Sequence, residues 1–198
     1  MIKTIKDEKL LYHLKDKKII FNEFFKIEKA TVSWQRSSGK MGRSVTRYVI
    51  RRGDSVGIIP ICPDGIILVR QFRYPAAREG VDPYLWEIPA GMVDKGEKPE
   101  VTAKRELKEE IGVISSKIIP LISFFLSPGA LDEMFHLYYT RLSDCGEIVQ
   151  VGGVEEEEED LEVKKFDRSQ IIEMIQNGEI IDSKTIASLM YYFLKFSE

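Results

Sequence analysis

The chain has 198 residues, of which 43% are hydrophobic and 31% charged, and its formal net charge is −3. This length and composition are typical of one ordinary domain, with or without a small appendage, that buries a real core. The chain has no apolar run near the roughly 20 residues that a bilayer helix needs and no concentrated basic stripe, so neither a membrane nor a nucleic acid polymer is an expected partner.

The first 54 residues predict a small antiparallel β unit. Apolar and polar residues alternate in short runs from Ile19 to about Arg52, and a turn sequence at 37–40 separates candidate strands at 31–34 and 45–50. Residues 1–54 are therefore expected to form a small N-terminal β domain. Residues 55–198 are expected to form the main domain.

The main domain should begin with a β-hairpin. Two hydrophobic runs, 55–61 and 66–72, flank Cys62-Pro63-Asp64-Gly65, which suits a tight turn. A strand at 84–89 follows, and then a helix from Pro99 to about Ile111 that stops at Gly112. Further strands are expected at 117–126, 134–142 and 161–166, and helices at 169–177 and 183–196. The layout predicts an α+β fold with helices packed on a mixed sheet.

The N-terminus and the cysteines both favour the cytoplasm. Residues 1–8 contain neither an apolar signal core nor a small-residue cleavage site. Cys62 and Cys145 lie far apart and lack the spacing of a zinc site or the density of a disulfide scaffold. We therefore expect two buried free thiols in a reducing compartment.

The helix predicted at 99–111 carries closely spaced carboxylates. Glu106 and Glu110 are one turn apart, and Glu109 is nearby on the flank. The predicted apolar stripe of this helix consists of Ala103, Leu107 and Ile111. Glu106 and Glu110 fall beside that stripe. Carboxylates crowded together in this way repel one another unless a cation lies among them. Because carboxylate oxygens are hard ligands, they select Mg²⁺ or Mn²⁺. The alternative is an exposed helix laced with Glu/Lys and Glu/Arg pairs.

The residues around these glutamates resemble the Nudix box. The pattern of that box is Gly, five residues, Glu, seven residues, and then Arg-Glu-aliphatic-any-Glu-Glu-any-Gly-aliphatic. The chain has Gly91, Glu97 and the run Arg105-Glu106-Leu107-Lys108-Glu109-Glu110-Ile111-Gly112-Val113, with no departure. A chance match is on the order of one in a million. The chain is thus identified as a member of the Nudix family, whose α/β/α sandwich hydrolyses diphosphates with Mg²⁺, for which Mn²⁺ can substitute.

The resemblance implies a metal site at the box. The Ala90 carbonyl and the carboxylates of Glu106 and Glu110 would be metal ligands, and Glu109 would be a third helix carboxylate with a catalytic role. Gly91, next to the substrate, is expected to let the backbone turn sharply so that the Ala90 carbonyl can face a cation.

Two further residues of the box would support that site. Arg105 can hold the flanking carboxylates by bidentate hydrogen bonds, and Glu97 can orient Arg105 or another ligand.

Three features outside the box resemble the ADP-ribose and nucleoside-diphosphate-sugar pyrophosphatases of this family. Ser127-Pro128-Gly129 follows the box by the interval typical of ADP-ribose hydrolases, although it also fits an ordinary turn. Arg73 ends a strand that would present it to the substrate phosphates, unless it is a surface salt-bridge partner. The acidic loop within 152–163 would close over the diphosphate. In that loop Glu157, or a glutamate one or two positions away, would be the general base, and Glu159 a further catalytic carboxylate and metal ligand. Its alternative is a solvated charge run.

The N-terminal residues resemble the small β domain that subfamily members exchange within a homodimer. That domain supplies side chains to the partner's base pocket. Phe24 or Phe25 could therefore stack on adenine, and Arg47 could meet a phosphate or ribose, although each could also be an ordinary core or surface residue. Glu133 could hydrogen-bond the ribose hydroxyls.

The reaction implied by the resemblance is hydrolysis of ADP-ribose to AMP and ribose 5-phosphate by attack of water on phosphorus. Hydrolysis of GDP-mannose or another nucleotide sugar is the closest alternative, because Gly178-Glu179-Ile180 and Asp182-Ser183-Lys184-Thr185 also resemble GDP-mannose enzymes. A non-catalytic nucleotide sensor is a further alternative. Such modules commonly lose carboxylates of the box, and this chain has lost none.

Overall fold

The computed structural model describes residues 12–143, 145 and 161–196. These residues fall into two compact units. The first comprises residues 12–54 and 125–134, and the second comprises the rest. The first unit is therefore assembled from two separate stretches of the chain.

The first unit is built on a three-stranded antiparallel sheet in the order β1-β2-β3. Its strands are β1 (Tyr12–Asn22), β2 (Lys26–Trp34) and β3 (Val45–Arg51). Residues 125–134 attach to β3, since the Ile50 amide donates to the Ala130 carbonyl at 2.8 Å and Arg51 forms an ion pair with Asp132 at 3.1 Å. The turn at Ser127-Pro128-Gly129 thus belongs to this unit.

The second unit contains a seven-stranded mixed sheet. Its strands are β4 (Ser55–Cys62), β5 (Gly65–Phe72), β6 (Tyr84–Glu87), β7 (Ala90–Met92), β8 (Ile119–Phe125), β9 (Met134–Arg141) and β10 (Glu162–Phe166). The main order is β10-β5-β4-β9-β8, in which β4 and β9 are parallel. β4 and β5 pair only beside their turn, at Ile61–Ile66 and Cys62–Gly65. Farther along, β6 pairs with β5 and β7 pairs with β4.

Three α-helices lie among the described residues of the second unit, and capping residues mark their ends. They are α1 (Pro99–Ile111), α2 (Arg168–Gln176) and α3 (Ser183–Lys195). Pro99 opens α1, where its missing N–H costs little, and Gly112 closes α1 in the left-handed conformation. Asp182 caps α3 by accepting a hydrogen bond from the Thr185 amide at 2.9 Å.

The core of the second unit forms where α1 packs on the sheet. The apolar stripe of α1 is buried against side chains of β4 and β5, among them Val56, Ile58 and Val69. The predicted α+β class is confirmed, with helices and a mixed sheet in one unit and an antiparallel sheet in the other. None of the helices in the described part of the chain is both long and apolar enough to cross a bilayer.

The prediction of two free thiols was wrong. Cys62 and Cys145 are joined by a disulfide, with their Cα atoms 5.8 Å apart. Cys62 ends β4, and the parallel pairing of Ile61 with Arg141 brings the end of β9 to the same edge of the sheet. Sequence separation therefore gave no guide to the distance between the two sulfurs, because it does not reveal which strand ends meet.

Candidate active site

Two buried carboxylates of α1 approach the backbone of β7. Glu106 is 9% exposed and Glu110 is 4% exposed. Glu110 Oε2 accepts a hydrogen bond from the Ala90 amide at 3.3 Å, and the Glu106 carboxylate lies against Gly91. The helix face and the short strand therefore bring together three of the expected metal ligands, Ala90, Glu106 and Glu110, with Gly91 beside them.

Gly91 is required for close approach and not for a turn. It lies within β7, paired with Val56, and it is not among the glycines with positive φ. A Cβ at position 91 would overlap the carboxylate of Glu106. The expected sharp turn was therefore wrong, since the missing side chain serves to admit Glu106 to the strand backbone.

Arg105 connects the carboxylates along one side of α1. Its Nη1 lies 2.8 Å from Glu106 Oε1 and 2.7 Å from Glu109 Oε2, and its Nη2 donates to the Met92 carbonyl at 3.4 Å. Burial lowers the pKa of Arg105, but the charges of Glu106 and Glu109 outweigh it, so the net shift is upward. The guanidinium therefore stays charged and fixes both glutamates.

Glu97 lies at the edge of the same cluster. Its Oε2 accepts a hydrogen bond from Thr102 Oγ1 at 2.7 Å and lies 3.8 Å from Arg105 Nη2. The loop before α1 is thereby tied to the helix. Glu97 contacts Arg105 at the long limit of an ion pair, while its short bond is to Thr102.

Arg73 lies beyond the end of β5 and is bound to a buried glutamate. Its Nε and Nη2 donate to the two carboxylate oxygens of Glu87 at 2.9 and 2.8 Å. Lys184 donates to the same carboxylate at 2.5 Å. The charge of Glu110 also contributes to the raised pKa of Arg73, against the opposing effect of burial. Arg73 is therefore within electrostatic reach of the α1 carboxylates.

Three of the predicted site residues belong to the first unit. Phe24 is 91% exposed and makes an edge-to-face contact with Phe25, with ring centroids 6.3 Å apart. The Arg47 guanidinium lies 5.3 Å from the centroid of Trp34. Glu133 is buried and forms an ion pair with Arg52 at 3.5 Å.

The predicted general base, Glu157, and the additional ligand, Glu159, lie outside the described residues. Of the carboxylates expected to bind metal or act in catalysis, those within the described residues are Glu106, Glu109 and Glu110 of α1.

The donors around β7 fit a hard divalent cation. Carboxylate and carbonyl oxygens are the ligands that Mg²⁺ prefers. Glu106, Glu109 and Glu110 outnumber Arg105, the guanidinium that lies among them, so this part of α1 favours a cation. Within residues 12–143, 145 and 161–196, no group of three or more His, Cys, Asp or Glu side chains is already arranged as a metal cluster.

The sequence did not indicate a site role for Glu87. Glu87 falls in a predicted strand, where a charged residue among apolar neighbours was the available signal. Lys184 and Thr185 were noted only for their resemblance to GDP-mannose enzymes. In the structure Thr185 Oγ1 accepts a hydrogen bond from the Ile88 amide at 3.0 Å, so the first turn of α3 holds the segment that leads into Ala90.

Comparisons with known proteins agree with this geometry. A NUDIX domain model matches residues 51–189. The ADP-ribose pyrophosphatase of Bacillus subtilis (strain 168) is 33% identical over 155 residues, covering 78% of this chain and 80% of that protein. The GDP-mannose pyrophosphatase of Escherichia coli O1:K1 / APEC is 34% identical over 177 residues, covering 88% and 91%.

A solved structure supports the fold independently. It is described as an ADP compounds hydrolase and superposes with a TM-score of 0.71 over 96% of this chain and 97% of that chain, at 18% identity. The chain therefore belongs to the Nudix family of hydrolases and is similar to its ADP-ribose and nucleoside-diphosphate-sugar pyrophosphatases.

Proposed function

We propose that the chain hydrolyses ADP-ribose to AMP and ribose 5-phosphate in a Mg²⁺-dependent reaction. The observation that carries this proposal is the convergence of two buried α1 carboxylates, Glu106 and Glu110, on the Ala90–Gly91 backbone. Similarity to the Bacillus subtilis ADP-ribose pyrophosphatase supports the choice of substrate.

The residues of the box would hold the metal and order one another. The Ala90 carbonyl, Glu106 and Glu110 would bind Mg²⁺, with Glu109 and Glu159 as further carboxylates. When bound, Mg²⁺ would neutralise charge on the diphosphate and lower the pKa of the attacking water. Arg105 keeps the α1 carboxylates in place through its contacts with Glu106 and Glu109.

The remaining roles belong to the acidic loop and to Arg73. Glu157, or a neighbour in residues 155–159, would remove the proton of the water as it attacks phosphorus in line. Arg73 would bind a phosphate oxygen of the substrate, because a guanidinium matches the geometry of phosphate.

Hydrolysis of GDP-mannose is the second candidate. Similarity to the Escherichia coli GDP-mannose pyrophosphatase extends over 88% of the chain. Both relatives have names that imply cleavage of a diphosphate. The two candidate substrates therefore differ in their base and their sugar, and not in the bond that is cleaved.

A substrate panel tests the proposal. Initial rates are measured on ADP-ribose, GDP-mannose, UDP-glucose and diadenosine polyphosphates, with Mg²⁺ and with EDTA. The proposal expects the highest kcat/KM for ADP-ribose and no turnover in EDTA. A higher kcat/KM for GDP-mannose would replace the substrate, and turnover in EDTA would defeat the assignment of the metal.

We also propose a homodimer formed through the first unit. Every residue of β1 is exposed in the single chain. Large apolar side chains are exposed along β1, including Tyr12, Leu14, Ile19, Ile20 and Phe21. Phe24, Arg47 and Glu133 would contact the base, a phosphate or the ribose in such an assembly, with Phe24 and Arg47 supplied to the partner's pocket.

Light scattering on the eluting protein tests the homodimer. The proposal expects the mass of two chains for the wild type, and a shift toward one chain when Ile19 and Ile20 are both replaced by Lys. A wild type that elutes as a single chain at micromolar concentration contradicts it.

Location in the cytoplasm stays an expectation from the sequence. The Cys62–Cys145 disulfide counts against the reducing environment that this expectation assumed.

A further inference from the structure

Glu87 is a buried charge at the edge of the proposed site. It is 1% exposed, and it is bound by two cations, Arg73 and Lys184. Burial raises the pKa of Glu87, but the hydrogen bond from Arg73 and the charges of Lys184 and Arg73 outweigh it, so the net pKa is below the ordinary value. Glu87 is therefore a carboxylate that both cations keep ionised.

The hydrogen bonds to Glu87 use one particular edge of Arg73. Nε and Nη2 form the side edge of a guanidinium, and both donate to Glu87. The end edge, formed by Nη1 and the outer N–H of Nη2, faces away from Glu87. Among the described residues Nη1 has no hydrogen-bond partner, and the Arg73 side chain is 39% exposed. The end edge can thus bind two oxygens of a phosphate at once.

The first turn of α3 holds Glu87 from the other side. Lys184 Nζ lies 2.5 Å from Glu87 Oε2 and 3.0 Å from Asp182 Oδ2, and its side chain is mostly buried. The bond between Ile88 and Thr185 anchors the next residue of the chain to the same turn. The carboxylate of Glu87 therefore has little freedom to move, and neither has the arginine that it binds.

We propose that Glu87 is a positioning residue, which holds the side edge of Arg73 so that the end edge is presented to a phosphate of the substrate. Lys184 fixes Glu87 in turn. This inference rests on the proposed function in one respect, namely that Arg73 binds a substrate phosphate. Glu87 thus affects substrate binding by fixing Arg73, in addition to any contribution that it makes to stability.

A double-mutant cycle tests the inference. Arg73→Ala, Glu87→Gln and the double variant are compared with the wild type for KM, kcat and the Mg²⁺ concentration giving half-maximal rate. Each single variant should raise KM by roughly tenfold or more, and the Mg²⁺ concentration giving half-maximal rate should change much less. The double variant should be no worse than Arg73→Ala, because Glu87 acts through Arg73. Additive losses would overturn the proposal.

Asp82→Asn is the matched control. Asp82 pairs at 2.7 Å with Arg70, which lies within β5, so its loss removes an exposed arginine–carboxylate contact that does not involve Arg73. KM should stay within about twofold of the wild type. Should Glu87→Gln fail to fold, Glu87→Asp replaces it, since Asp keeps the buried charge but withdraws the oxygens by one methylene. Normal KM in folded Glu87→Asp would overturn the proposal.

A spectroscopic measurement tests the contact without turnover. The Arg73 Nε–H resonance is assigned by its loss in Arg73→Lys, and it should exchange slowly with water in the wild type and rapidly in Glu87→Gln. Rapid exchange in the wild type contradicts the proposal.

If the wild type hydrolyses no member of the panel, the proposed function is wrong, but the role of Glu87 can still be tested. The affinity for ADP then replaces KM in the same double-mutant cycle. A wild type that does not bind ADP overturns the inference as well.

Discussion

The carboxylate of Glu106 lies so close to Gly91 that a methyl group at position 91 would overlap it. The overlapping atoms are the far end of a flexible side chain, so Glu106 can swing away at little cost to the fold. Gly91→Ala should therefore reduce kcat/KM by roughly 100-fold and change Tm little. Gly57 provides the contrast, since a Cβ there would meet the buried Phe135 ring. Gly57→Ala should lose about 1–3 kcal/mol of stability.

Enzyme assays and thermal melts of both variants check this contrast. The account is contradicted if Gly91→Ala keeps near-normal kcat/KM, or if it unfolds as readily as Gly57→Ala.

Glu106→Gln and Glu110→Gln should nearly abolish turnover while leaving the fold intact. Each replaces a buried carboxylate beside Ala90 and Gly91 with a neutral amide that binds Mg²⁺ weakly, so kcat should fall by at least roughly 100-fold. Glu100→Gln is the control on the same helix, because Glu100 is exposed and pairs only with Lys104 among the described residues. Rates across a Mg²⁺ titration and circular dichroism distinguish the outcomes. A near-normal rate in either buried-site variant would remove that residue from the metal site.

The elements of the fold could largely be predicted because their signals are local. Pro99 and Gly112 mark the ends of α1, and the hairpin turn at 62–65 joins two buried runs. The strand β7, with three residues, is too short to give a periodic pattern. Its existence depends on β4, which separates from β5 beyond the hairpin and leaves an edge to pair with.

The site could be predicted only where one local stretch carries it. The α1 glutamates lie on one helix, so their spacing alone places them together. The link between Glu87 and Lys184 joins residues 97 positions apart, and the disulfide joins residues 83 apart. Both depend on which segments become neighbours when the chain folds, and a local pattern of residue types does not report that.

Acid should weaken the fold partly through Glu87. Its folded-state pKa is below the ordinary value of 4.5, which applies in the unfolded chain. Its contribution is therefore fully present above about pH 4.5 and is lost as the pH falls through the folded-state pKa. The gap in unfolding free energy between the wild type and Glu87→Gln should be widest above pH 4.5, at about 3–5 kcal/mol, and should narrow below it. Urea unfolding from pH 7 to pH 3 measures the gap, and a gap that stays constant with pH contradicts the assignment.

Reduction of the Cys62–Cys145 disulfide should destabilise the chain. The disulfide closes a loop with a sequence separation of 83, so the entropy of the unfolded chain predicts a loss of roughly 4.5 kcal/mol. Melting with and without dithiothreitol measures the loss, and the double variant Cys62→Ala/Cys145→Ala should not respond to the reductant. Titration of two free thiols per chain in denaturant without reductant would show that the disulfide is absent in solution.

Product analysis in ¹⁸O-labelled water tests the central claim most directly. The wild type is incubated with ADP-ribose and Mg²⁺, and the products are separated and weighed by mass spectrometry. The account predicts equal amounts of AMP and ribose 5-phosphate, with one ¹⁸O atom per cleavage in a phosphate group, and no product in EDTA. Release of free adenine or unphosphorylated ribose, unlabelled phosphates, or undiminished cleavage in EDTA would contradict metal-dependent attack of water on phosphorus.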